Sequence, residues 1–278
     1  MKAPRFILLI IRLLLALAFA APALAQAPKE SAPAAYEPST GQPGKDVVWV
    51  PTPQALVDRM LDMAKLKPRD FVMDLGSGDG RTVIAAAKRG ARALGVEYNP
   101  DMVELSRRNA AKEGVTDKAQ FTKADLFETD LSKATVITMF LLPDINLKLR
   151  PKILNLKPGT RIVSNSFTMG EWKADQTSNV KENCTTYCTA LLWIVPAKVE
   201  GNWQLGGGEL KLKQEFQMLT GSLTSGGTET PVKGQMRGDH ITFTAGGAQY
   251  TGRVNGSSIV EGTVKTGGNS SQWTATRK

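Results

Sequence analysis

Asp74-Leu75-Gly76-Ser77-Gly78-Asp79-Gly80-Arg81 follows the apolar run Phe71-Val72-Met73 and leads into Thr82 to Arg89, which reads as a short helix. A buried strand that turns sharply into a helix through three glycines is a ligand loop of the nucleotide type. Glycines at alternate positions remove the Cβ atoms that would hold a ligand off the backbone, and they permit the positive φ angles of a tight strand-to-helix turn.

Working outward, Glu97 closes the second apolar run, Ala93-Leu94-Gly95-Val96, and Asp125 follows the third, Gln120-Phe121-Thr122. A carboxylate at the end of the second strand is placed to accept from both hydroxyls of a ribose, and Asp125 to accept from an adenine amino group. The glycine spacing is G-x-G-x-G with an acid two residues earlier, not the G-x-G-x-x-G of dinucleotide sites. That spacing favours S-adenosylmethionine over NAD. One glycine loop alone is equally satisfied by a plain tight turn, but three acids at three successive strand ends are not.

With Val50-Pro51-Thr52-Pro53, Val96-Glu97-Tyr98-Asn99-Pro100 and Ala124-Asp125-Leu126-Phe127, residues 46 to about 198 resemble a class I S-adenosylmethionine-dependent methyltransferase. The motifs are most similar to the mitochondrial protein-lysine methyltransferase branch. The resemblance implies a Rossmann-like α/β fold with a mostly parallel sheet. It implies that Asp74, Gly76, Ser77, Gly78 and Gly80 line the cofactor, with Asp79 at the methionine ammonium, Glu97 and Tyr98 at the ribose, and Asp125 and Leu126 at the adenine. Phe140-Leu141-Leu142-Pro143 takes the place of the acceptor-side motif. It lacks the Asn-Pro-Pro-Tyr signature of nucleobase amino methylases, so a protein acceptor is expected and a nucleic acid is not.

Lys2 and Arg5 precede the apolar stretch Phe6 to Ala20, and Ala23-Leu24-Ala25 has cleavage-site spacing, so residues 1–25 read as a signal peptide. The expected location is periplasmic or secreted, with no membrane span left after cleavage. Losing Lys2, Arg5 and Arg12 with no acid takes the net charge from +9 to +6. The basic residues are spread along the chain, which describes a solvated cationic surface rather than a nucleic-acid stripe. Export and dependence on a cytosolic metabolite pull against each other.

Cys184 and Cys188 fit an oxidising compartment. On one extended strand their Cα atoms would sit roughly 13 Å apart, beyond the roughly 7 Å limit of a disulfide. A bridge therefore requires a turn at Thr185-Thr186-Tyr187. A metal site is not expected, since the single histidine, His240, lies far along the chain.

Residues 26–45, rich in Pro, Ala and Gly, read as a flexible linker. Residues 46–199 then alternate strand and helix. Thr52 and Pro53 open a first helix as cap and first residue, Asn99, Pro100 and Asp101 open another, and a helical stretch from Ile145 to Leu156 is expected to break at Pro151. Residues 200–278 change texture to eight short alternating runs separated by Gly, Asn and Ser turns, a small all-β meander or barrel. Glycines recur inside its strands at 221, 234, 252 and 262 and suggest bends or bulges. Gly201-x-Trp203 with Arg277 on the last strand resembles the lipocalin-type pairing of Arg over Trp. The unit is much shorter than a lipocalin, so its aromatics are expected to be core. It is expected to fold alone and to contribute nothing to the cofactor.

Methyl transfer asks for alignment and exclusion of water rather than a strong base, and the α/β half has no histidine. Phe140, Pro143 and Asn165 are the acceptor-side candidates, with Leu141, Leu142, Ser164, Ser166, Phe167 and Trp172 around them. The rival readings are a noncatalytic binding protein on the same fold and a dehydrogenase-like nucleotide enzyme.

Overall fold

A strand buried on both faces needs both sides of its sheet covered, and Phe71–Leu75, apolar but for Asp74, meets that need by becoming β1, an interior strand, third of seven. The computed structural model describes residues 36–278; the expected leader and residues 26–35 lie outside them. Around β1 run β2 (Arg92–Glu97), β3 (Ala119–Lys123), β4 (Val136–Met139) and β5 (Arg161–Asn165), all parallel. The order is β3-β2-β1-β4-β5-β7-β6, where β7 (Thr189–Ile194) is antiparallel to β5 and β6 (Gln176–Asn179) antiparallel to β7. The order reverses between β1 and β4, so a crevice opens at their carboxyl ends.

Alternation within β1 divides the core. Val72 joins one apolar cluster with α1 (Gln54–Met63), α2 (Arg81–Lys88) and α3 (Pro100–Lys112), while Met73 and Leu75 join another with α4 (Pro143–Ile153). Ala85, Ala86 and Ala87 let α2 approach the sheet closely. Asn99 caps α3 by accepting from the Asp101 N–H at 2.9 Å. Two expectations need correction. Thr52 does not cap α1, whose N-cap is Pro53 without a side-chain bond; its hydroxyl accepts from Asn165 instead. Pro151 does not break α4, which runs through to Ile153. In the last turn a proline forfeits one backbone bond and the helix ends soon after, so the cost is small.

From Gly201 the chain forms eight antiparallel strands, β8 (Gly201–Leu205) through β15 (Asn269–Arg277), closed where β15 pairs with β8. Closure removes sheet edges. Buried Trp203, Leu210, Leu212, Met236, Ile241, Phe243, Ile259 and Trp273 fill the interior, so the barrel has a packed core. Register shifts fall beside Gly252 and between Ile259 and Gly262, two of the four glycines expected to bend strands. Gly221 serves close approach instead: a Cβ there would lie 1.8 Å from the Lys211 carbonyl oxygen. The Arg277 guanidinium lies 4.5 Å from the centre of the Trp203 ring and donates to the carbonyls of Lys198 and Glu200.

The barrel is seated on the α/β part. Phe216 stacks on Trp172 at 6.1 Å, with the Arg150 guanidinium 5.3 Å from the Phe216 ring, and Gln217 donates to the Lys173 carbonyl. No helix among the described residues is long and apolar enough to cross a membrane.

Candidate functional site

The glycine loop has the backbone its sequence demands. Gly76, Gly78 and Gly80 all have positive φ, at +75°, +54° and +84°. The N–H groups of Gly76 and Ser77 bond back to the Val96 carbonyl, and Gly80 caps α2. From α3, Ser106 donates to the Gly78 carbonyl at 2.8 Å and Asn109 to the Asp79 carbonyl at 2.9 Å. The loop is therefore fixed from two elements before any ligand arrives. It floors a cleft of about 1330 Å³, counting its open mouth, at the carboxyl ends of β1, β2 and β4.

Asp74 lies on this floor, buried, accepting from the Thr138 hydroxyl at 2.6 Å. Burial pushes its carboxyl up to about 7, and the neighbouring Asp79 and Glu97 charges push the same way. No cation pairs with it among the described residues. Asp79, by contrast, is gripped by Arg81, which also donates to the Thr52 carbonyl. A carboxylate already neutralised by guanidinium has less to offer a ligand ammonium than one with no counter-ion. Ser77 Oγ is buried with no hydrogen-bond partner.

Glu97 accepts three backbone bonds, from Gly78 at 3.0 Å, Tyr98 at 2.9 Å and Asn99 at 3.0 Å. This ties the end of β2 to the glycine loop and aims the carboxylate into the cleft. Asp125 accepts from the Phe127 N–H and from Lys45, whose ammonium also lies 4.8 Å from the centre of the Tyr98 ring. The Lys45 hydrogen bond holds Asp125 below the usual carboxylate range, and in return raises Lys45.

Asp74, Gly76, Ser77, Gly78, Asp79, Glu97, Tyr98, Asp125, Leu126 and Phe140 all border the one cleft; Gly80, expected there too, does not, and as the N-cap of α2 it packs against Phe121 and Ser106. Pro143 and Asn165 do not border it. Pro143 is the exposed first residue of α4, and Asn165 is buried between Thr52 and Ser166. Trp172 is in the core on the α4 face, against Trp193 and Phe216.

Sequence reasoning missed the strap that covers the cleft. Residues 42–49, the first part read as linker, run along it, pinned by the Gly41–Trp49 and Trp49–Gln42 backbone bonds. The Trp49 indole lies so close to Gly78 that a Cβ there would be 2.6 Å from its Nε1. An aromatic directly before Val50-Pro51-Thr52-Pro53 was the available signal. Tyr187 was missed too. It sits between the cysteines, which are bridged with Cα atoms 5.8 Å apart, so the turn that a bridge required is present.

The site suits S-adenosylmethionine: an uncompensated buried acid for a doubly cationic methionine moiety, an acid at the second strand end for a diol, and an orphaned hydroxyl. Among the described residues no group of three or more His, Cys, Asp or Glu side chains is placed to hold a metal ion.

Comparison with known proteins agrees. The family profile described as the ANTKMT methyltransferase domain matches residues 74–176. A protein-lysine N-methyltransferase of Saccharolobus islandicus (strain REY15A) is 43% identical over 152 residues, covering 54% of this chain and 94% of that protein. The adenine nucleotide translocase lysine N-methyltransferase of Mus musculus is 35% identical over 119 residues, 42% of this chain and 52% of that protein. A solved structure described as an RNA methyltransferase from Salinibacter ruber, in complex with S-adenosyl-L-homocysteine, is 46% identical with a TM-score of 0.51, covering 54% of this chain and 96% of that one. The chain thus spans nearly the whole of the Saccharolobus relative and about half of the Mus one. With the glycine loop and strand-end acids above, this relation settles the lineage: the chain belongs to the protein-lysine methyltransferase family of class I, S-adenosylmethionine-dependent enzymes.

Proposed function

We propose that this chain is an exported methyltransferase acting on lysine side chains of protein. The observation that carries the reading is the cleft itself. It joins an acid without a counter-ion, Asp74, to a second acid, Glu97, locked in place by three backbone N–H groups, and it opens on apolar and aromatic side chains beyond them.

S-adenosylmethionine supplies a methyl group on a sulfonium, and transfer is an in-line displacement in which the nitrogen–carbon bond forms as the carbon–sulfur bond breaks. In the proposed arrangement Asp74 faces the ammonium, with Asp79 held back by Arg81. Glu97 takes the ribose hydroxyls, and Asp125 takes the adenine amino group once Lys45 yields its place. Leu141 and Phe140 exclude water where the methyl passes. Only a neutral amine has a lone pair to attack, so the acceptor, whose ordinary pKa is about 10.4, gives its proton to solvent before transfer.

Export is supported by the basic start, apolar stretch and Ala-x-Ala spacing of residues 1–25. The disulfide in an exposed loop points the same way. The proposal is tested by incubating the purified protein with isotopically labelled S-adenosylmethionine and, separately, cell-envelope proteins and total RNA from the source cells. Label on lysine, located by mass spectrometry, is the expected result. Label confined to RNA would reject the acceptor, and recovery of the protein from the cytosol with Met1 intact would reject export.

A further inference from the structure

Beyond the glycine loop, three rings meet at the cleft mouth. Phe140 follows β4, Phe167 follows β5, and Tyr187 comes from the loop closed by the Cys184–Cys188 bridge. Their ring centroids are 5.8 Å apart for Phe140 and Phe167, 5.2 Å for Phe140 and Tyr187, and 5.8 Å for Phe167 and Tyr187. All three border the cleft, and Tyr187 remains 45% exposed.

Tyr187 has φ +55° and Asn183 has φ +54°. A bulky side chain rarely adopts this region, and it persists there only where the surroundings fix it. A disulfide across four residues is such a constraint. With the turn it encloses, the bridge sets the tyrosine ring against the two phenylalanines. The acids that border the cleft lie on the glycine loop, at the ends of β1, β2 and β3 and, as Asp46, on the strap; none is supplied by the segments that carry these three rings.

An aromatic face attracts a cation through its quadrupole and needs no hydrogen-bond donor from it. Methylation of lysine leaves the charge in place while removing N–H groups. The rings pack on one another, Phe140 and Phe167 stacked with Tyr187 edge-on to the first and tilted against the second, and the cluster borders the cleft; ring surface of this kind suits an acceptor before and after each transfer, which a carboxylate bound through N–H groups would not. We propose that Phe140, Phe167 and Tyr187 form a receptor for the cationic side chain of the acceptor, and that the Cys184–Cys188 bridge makes Tyr187 its specificity-determining residue. This rests on the lysine reading above and deepens it.

The experiment is a titration of the purified protein, saturated with S-adenosylhomocysteine, with Nα-acetyl-Nε-trimethyllysine amide and with its neutral tert-butyl isostere. Ring resonances of labelled Phe and Tyr report binding. The cation is expected to bind saturably, shifting these three rings, and the isostere roughly tenfold more weakly. Tyr187→Ala should weaken the cation roughly tenfold and Tyr187→Phe should restore it. The double variant Cys184→Ser with Cys188→Ser should lie between Ala and wild type, and S-adenosylhomocysteine affinity should be unchanged in all. Equal binding of the neutral isostere, or a Tyr187→Ala variant equal to wild type, overturns the receptor. If S-adenosylhomocysteine binds and the rings do not respond, this proposal alone falls. If S-adenosylhomocysteine does not bind at all, the methyltransferase reading falls with it.

Discussion

The parallel sheet and the barrel solve the same problem, buried polar groups in an apolar core, in opposite ways. In the barrel each is satisfied. Trp203 Nε1 donates to the Val199 carbonyl, Trp273 Nε1 to the Thr251 carbonyl, and Arg277 is spent on two carbonyls and a ring face. In the sheet, Asp74 is buried without a counter-ion and Ser77 without a partner, at the reversal point of the strand order. Unmet polar groups cost free energy. Asn146 Oδ1 and Trp172 Nε1, on the α4 side of the sheet, are also without partners, but only Asp74 and Ser77 border the cleft, where a ligand can complete them, so the difference marks the sheet as the seat of chemistry and the barrel as structure.

Glycine substitutions break this comparison most strongly. Gly221→Ala sets a Cβ 1.8 Å from a backbone oxygen, so the barrel backbone must move, at a cost of at least about 3 kcal/mol, the top of the overpacking range. Thermal unfolding should show a large loss, while the folded fraction keeps its affinity for S-adenosylmethionine. An unchanged melting curve would mean the strands are not paired as described.

Asp74→Asn comes next. Burial raises the Asp74 carboxyl from 3.8 to about 7, so in the free protein it holds a proton that the unfolded chain releases between those values. Its contribution to stability therefore declines as pH rises from about 4 towards 7. A cationic ligand prefers the carboxylate, so affinity should climb with pH through about 7 and then level off. Asp74→Asn should abolish that rise and weaken binding at pH 8 by roughly 1.5–3 kcal/mol. Calorimetry across pH checks both, and a wild-type affinity flat from pH 5 to 8 would contradict the assignment.

Much of this contrast is legible in the sequence because its signals are local. Glycines at 76, 78 and 80 require a particular turn wherever they occur, and Glu97 and Asp125 are fixed by the ends of apolar runs. The Trp203 and Arg277 pairing is not local; it was legible only through the resemblance of Gly201-x-Trp203 and a last-strand Arg to the lipocalin-type pattern. What was illegible depends on contacts distant in sequence. A Pro-, Ala- and Gly-rich stretch has the same composition whether free or pinned, so Lys45 reaching Asp125 leaves no local trace. The polar edge strand β6, Gln-Thr-Ser-Asn, carries no alternation to find. Trp172 beside the acceptor motif does not announce whether it lines the cleft or packs in the core, and it packs in the core on the α4 side, outside the cleft lining.

Smaller effects sharpen the boundary between the two parts. Arg277→Ala should cost the barrel roughly 0.5–2 kcal/mol through the lost ring contact, read by thermal unfolding, with cofactor affinity unaltered. Lys45→Ala frees Asp125 of its ion pair and should tighten S-adenosylmethionine binding by a few-fold. Weaker binding would mean that Lys45 contacts the cofactor rather than competing with it.

The most direct test is calorimetric titration of the purified protein with S-adenosylmethionine and with NAD, repeated on Glu97→Ala and Arg277→Ala variants shown to be folded by circular dichroism. One saturable site for S-adenosylmethionine, none for NAD, affinity lost with Glu97 and retained without Arg277 is the predicted result. Binding that survives Glu97→Ala but disappears with Arg277→Ala would place the ligand in the barrel and contradict the account.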